Sequence, residues 1–164
     1  MTMLVACFGN VLRGDDGFGT AVSEVLLAEP LPSGVEVMDV GIGGIHLVQE
    51  LMRGVDLLVV VDAVDLGLAP GTVVVQRPDV ADVGLLPNSE RRDELADMHF
   101  ATPERALMLA RGLGVLPSTT LLVGVQTTDT ERVGEGLSTR TAGAVRAAVG
   151  QVRRIVSDFT ESTD

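Results

Sequence analysis

Leu57-Leu58-Val59-Val60-Val61 is a run of five apolar residues with no polar interruption, followed at once by Asp62. A strand with one face in water alternates apolar and polar side chains. A run without alternation is buried on both faces, as in a parallel sheet covered by helices on either side. Met3–Phe8 and residues 119–125 have the same character, and 35–40 and 72–76 read as two further strands. Between them, 20–28, 44–52, the stretch from Thr102-Pro103-Glu104 to about Gly112, and 139–155 carry helical spacing. Thr102 suits an N-cap, with proline at the first helical position. The order is βαβαββαβα, which predicts an α/β fold: a three-layer αβα sandwich around a five-stranded, mostly parallel twisted sheet. The chain has 164 residues and no Trp or Tyr, so one core of Val, Leu, Ala and Ile is expected. A single domain over 1–157 and a flexible C-terminal tail over 158–164 are expected. Residues 79–98 show no period, as expected of a functional or mobile connection.

Charge and residue usage remove several function classes. The net charge of −11 argues against nucleic acid and against anionic membrane surfaces. All twelve basic residues are arginine, so mechanisms that need a lysine are excluded. Cys7 is the only cysteine, which leaves no disulfide framework and no multi-thiolate metal site. The opening MTMLVACF lacks a basic segment and the apolar runs are too short to span a bilayer. A soluble, cytoplasmic protein is expected, as a monomer or weak homo-oligomer.

If the first three strands follow the usual 2-1-3 order, strands one and three are neighbours. The crevice at their C-terminal ends is then the default ligand site. The segment CFGNVLRGDDGFG, residues 7–19, places Asp15 and Asp16 just after strand one, and Asp62 ends strand three. Either acid of the pair could instead cap the helix that follows. Asp62 at the end of an apolar run is costly to desolvate unless paired or bound to a cation. His99, before the helix at Pro103, would complete an oxygen and nitrogen donor set with Asp16 and Asp62. That set suits nickel, zinc, iron(II) or manganese. His46 reads as an ordinary helix residue. A Walker loop is excluded by the missing lysine, a dinucleotide fingerprint by spacing, and a serine elbow by the absence of GxSxG. Cys7 lies inside a strand and reads as a buried hydrophobe. A phospho-acceptor receiver domain shares the acid layout, but strand five ends in GVQTTD without the required lysine.

These residues resemble the hydrogenase maturation proteases, endopeptidases that trim the large subunit of nickel–iron hydrogenases. FGNVLRGDDGFG is similar to the family's GNxLxxDDGxG opening. VMDVGIGG, VVVDAVD, APGTVVV, HFATPERALMLA and LLVGVQTTDTERVGEGLS resemble five further segments in order. The resemblance implies an aspartic-type endopeptidase in which Asp16, Asp62 and His99 bind nickel and Asp16 and Asp62 are catalytic. It implies a nickel-loaded large-subunit precursor as partner, with nickel presented by that substrate. The glycine-rich turn, through Gly41, Gly43 and Gly44, is expected to hold the extended tail by backbone hydrogen bonds. A noncatalytic metal- or small-molecule-binding regulatory module is the alternative.

Overall fold

The structure is a computed structural model that describes residues 1–82, 102–127, 129–130 and 132–162. Its strands are β1 (Met3–Phe8), β2 (Val35–Gly41), β3 (Leu57–Val64), β4 (Val73–Gln76) and β5 (Thr119–Gln126). The helices among the described residues are α1 (Phe18–Leu27), α2 (Gly44–Leu51), α3 (Pro103–Gly112) and α4 (Thr139–Glu161), with a 3-10 turn over Gly14–Gly17. The sheet order is β2-β1-β3-β5-β4. The first four of these strands are parallel, and β4 runs antiparallel to β5 at the edge. The expected α/β architecture and the 2-1-3 order are therefore present.

The unbroken apolar strands divide by residue parity. Met3, Val5 and Cys7 of β1 and Leu57, Val59 and Val61 of β3 face one side, against Phe18, Val22 and Leu26 of α1 and the apolar stripe of α4. Leu4, Ala6 and Phe8, with Leu58 and Val60, face the other side, against Leu47, Val48 and Leu51 of α2 and Ala106, Leu107 and Ala110 of α3. Each fully buried Val, Leu or Phe contributes roughly 1.5–3 kcal/mol relative to exposure. Two helices on each face thus explain why these strands carry no polar alternation.

Several boundaries differ from the sequence expectation by a residue or more, four of them near the site or at the C-terminal end. Asp62 does not end β3: the strand continues to Val64, because residues 62–64 pair with Gly124, Val125 and Gln126 of β5. Gly124 fits there because a β-carbon would lie 2.9 Å from the Val64 methyls. β2 runs to Gly41 rather than Val40. Helix α1 starts at Phe18, two residues early, since the fully buried Phe18 ring anchors its first turn. The domain does not stop at 157 either: α4 continues through Glu161, and Phe159 packs against the core formed with α1. No helix among the described residues is long and apolar enough to cross a membrane.

Candidate active site

Strand β1 hands the chain to α1 through a loop that two glycines make possible. A β-carbon on Gly19 would sit 1.9 Å from the Phe8 carbonyl oxygen, so only glycine lets α1 press against the end of β1. At Gly9, with φ +155°, a β-carbon would lie 2.2 Å from the carbonyl oxygen of Asp16. That close approach folds the loop back on itself, and the Asn10 amide donates to the same oxygen at 3.1 Å. The Arg13 amide donates to the Asn10 carbonyl at 3.0 Å and the Asp16 amide to the Arg13 carbonyl at 3.1 Å, closing the turn.

The paired acids then diverge. Successive residues of a 3-10 turn project about 120° apart, so neighbouring side chains cannot share one face. Asp16 is partly exposed and lines an open cavity of about 520 Å³ at the C-terminal edge of the sheet. Asp62 and Glu104 line the same cavity, with Arg13, Gly41 and Thr102 on its walls. An adjoining cavity of about 260 Å³ also has Asp62 and Glu104 on its wall and extends toward Gln76 and Pro78. Asp15 instead is 1% exposed and turns away into the protein. Its carboxylate accepts hydrogen bonds from the Ser138 amide at 2.6 Å, the Ser138 hydroxyl at 2.9 Å and the Thr141 hydroxyl at 2.9 Å. Asp15 thus binds the N-terminus of α4 and does not cap α1.

Asp62 shows the electrostatic character of the crevice. Its carboxyl is pushed up to about 8, first by burial and then by the negative charges of Asp16 and Glu104. A hydrogen bond from the Ala63 backbone opposes this shift in part. A cation between these acids would relieve both the desolvation and the repulsion. The oxygen donors of Asp16 and Asp62 fit a divalent ion in kind. Among the described residues no three His, Cys, Asp or Glu side chains are grouped so as to hold one by themselves. His99, the third expected ligand, lies outside the described residues. Thr102, three positions after it, is on the cavity wall.

The other sequence candidates separate cleanly. Gly41 lines the cavity with φ +57°, and its carbonyl accepts from the Gly9 amide at 3.0 Å. Gly43 is the N-cap of α2 and Gly44 its buried first residue, and neither is on the cavity wall. His46 is exposed on α2. Cys7 is fully buried inside β1, and burial pushes its thiol far above the usual range, leaving no thiolate nucleophile. Sequence reasoning missed Glu104 and Arg13. Glu104 was legible only as an acid in the first turn of α3; that this helix begins beside Asp62 emerges from the fold.

Comparison with known proteins gives a consistent result. Residues 21–155 match the family model described as hydrogenase maturation protease. The chain is 36% identical over 158 residues to the hydrogenase expression/formation protein HoxM of Azotobacter vinelandii, covering 96% of this chain and 71% of that protein. It is 40% identical over 136 residues to HupM of Azotobacter chroococcum mcd 1, covering 82% of this chain but only 62% of that protein. Among solved structures, it is similar to the hydrogenase maturating endopeptidase HybD from E. coli. That match has a TM-score of 0.73 and 28% identity, and covers 96% of this chain and 93% of that one.

Proposed function

The chain belongs to the hydrogenase maturation protease family, a family of endopeptidases, and from that premise we propose the substrate and the working residues. The substrate is a nickel–iron hydrogenase large-subunit precursor that already carries nickel, and the product is the subunit without its C-terminal extension. The observation that carries this reading is the convergence of Asp16 and Asp62 on one cavity, where burial and the Asp16 charge push the Asp62 carboxyl up.

Asp16 and Asp62 supply the oxygen donors that meet the precursor's nickel, and His99 supplies the nitrogen. Nickel brought by the substrate polarises a carbonyl or acidifies water where it binds. The remaining chemistry belongs to side chains of this chain. A cation met there offsets the burial and repulsion that raise the Asp62 carboxyl, so Asp62 meets the ion as a carboxylate and is placed to take a proton from water and return it to a leaving amine. Cys7 is buried away from the cavity and cannot attack, and water is the attacking group in this reading. The backbone at Gly41, on the cavity wall, offers an extended tail room to approach, while Gly43 and Gly44 lead from it into α2. The reaction takes place in the cytoplasm.

The test is processing of a nickel-loaded precursor, followed by intact mass. Wild type should release the extension, whereas Asp16→Asn, Asp62→Asn and His99→Ala should lose at least about a hundredfold in rate while remaining folded. Full activity in any one variant removes that residue from the site.

A further inference from the structure

The two acids of the turn have opposite surroundings, and the buried one has no contact with the cavity. We propose that Asp15 is a positioning residue that, with Ser138 and Thr141, fixes the direction in which Asp16 faces the cavity. This inference rests on the reading of Asp16 as a site residue.

Three independent ties support it. The Asp15 carboxylate takes all three of its donors from the first turn of α4: the N-cap amide, the N-cap hydroxyl and the fully buried Thr141 hydroxyl. Its own amide donates to the Asp129 carbonyl at 3.0 Å. Just before it in the chain, the Gly14 amide donates to the Gly134 carbonyl at 3.0 Å and the Gly134 amide to the Leu12 carbonyl at 2.9 Å. The turn is therefore pinned by its side chain to a 23-residue helix and by its backbone to the segment before that helix. Rotating Asp15 out of this bed would rotate Asp16 with it, because both lie on one tight turn. Charge-assisted bonds to a helix N-terminus are strong enough to hold such an orientation. Thr141 lies outside the lining of the acid cavity, so its effect on the reaction passes through Asp15, directly or by way of Ser138, which shares that carboxylate.

Thr141→Val removes one donor at nearly constant shape, and Thr141→Ser restores it. Thr160→Val, at the far end of α4, is the control. On a loaded precursor, well below the thermal midpoint of each variant, Thr141→Val should lower kcat about ten- to a hundredfold with KM within about twofold. Thr141→Ser should recover to within about threefold of wild type, and Thr160→Val should stay at wild-type kcat. Independently of activity, exchange of the Asp16 amide hydrogen should quicken about tenfold or more in Thr141→Val alone. A folded Thr141→Val protein with wild-type kcat overturns the positioning role, even if its thermal midpoint is lower. If wild type leaves the loaded precursor intact, the proposed function falls; unchanged Asp16 exchange in Thr141→Val then overturns the positioning of Asp16 by Asp15 as well, while faster exchange upholds it.

Discussion

Replacing Asp62 with asparagine removes a charge that the crevice tolerates poorly. The carboxyl has an ordinary value of 3.8 and is pushed up to about 8, first by burial and then by Asp16 and Glu104. The unfolded chain releases this proton near the ordinary value, so the folded state binds it more tightly. Stability from this group is therefore fully present below about pH 4, declines as pH rises, and is lost once the folded carboxyl ionises near pH 8. Each unit corresponds to about 1.4 kcal/mol, so the full gap sets a ceiling of about 6 kcal/mol. Relaxation and water reaching this partly exposed side chain reduce the realised change to about 2–3 kcal/mol between about pH 5 and about pH 9. Asparagine has no such dependence. Urea unfolding of both proteins across that range, without added metal, reads the difference directly, because all other titrating groups largely cancel. The variant should gain on wild type steadily as pH rises. A stability difference that stays flat would refute the claim that a buried, like-charged neighbourhood raises Asp62.

Related outcomes follow from the same geometry. Asp16→Asn should lower the titration midpoint of the Asp62 carboxyl, followed by carbon-13 NMR, by about one unit, and Glu104→Gln should lower it less; no movement in either would mean that the acids do not sense one another. Gly19→Ala places a β-carbon 1.9 Å from the Phe8 carbonyl oxygen, and should cost at least about 3 kcal/mol in urea unfolding. Near-native stability there would show that α1 does not close against β1 as described. Cys7→Ala should process precursor at the wild-type rate, and the native thiol should resist Ellman's reagent until the protein unfolds. Fast labelling of the folded chain would contradict its burial.

Much of the fold was legible because Met3–Phe8 and Leu57–Val61 state their burial on both faces without help from neighbours. The crevice followed from strand order, and Asp62 and Asp16 do share it. Local patterns could not settle the phase of a short turn, so either acid could have capped the next helix; the resemblance pointed to Asp16 as ligand, and only α4, by supplying donors for Asp15, shows why the two differ. Ser138 and Thr141 lie more than a hundred residues away in sequence, and no periodicity in the loop points to them. Glu104 became a site residue only through the packing of α3 beside β3. The strand end at Asp62 was misplaced because polarity marks the end of an apolar run, whereas pairing with Gly124 carries the backbone further. The C-terminal boundary was misjudged for a similar reason: a polar stretch around Phe159 reads as a tail, yet α4 continues to Glu161 with Phe159 packed against the core.

The most direct measurement is the intact mass of the large-subunit precursor after incubation with the wild-type chain, run in parallel on nickel-loaded and nickel-free precursor. The loaded form should lose its C-terminal extension while the nickel-free form keeps it. An unprocessed loaded precursor would contradict the proposed reaction, and equal cleavage of both forms would contradict a site in which Asp16, Asp62 and His99 meet nickel on the substrate.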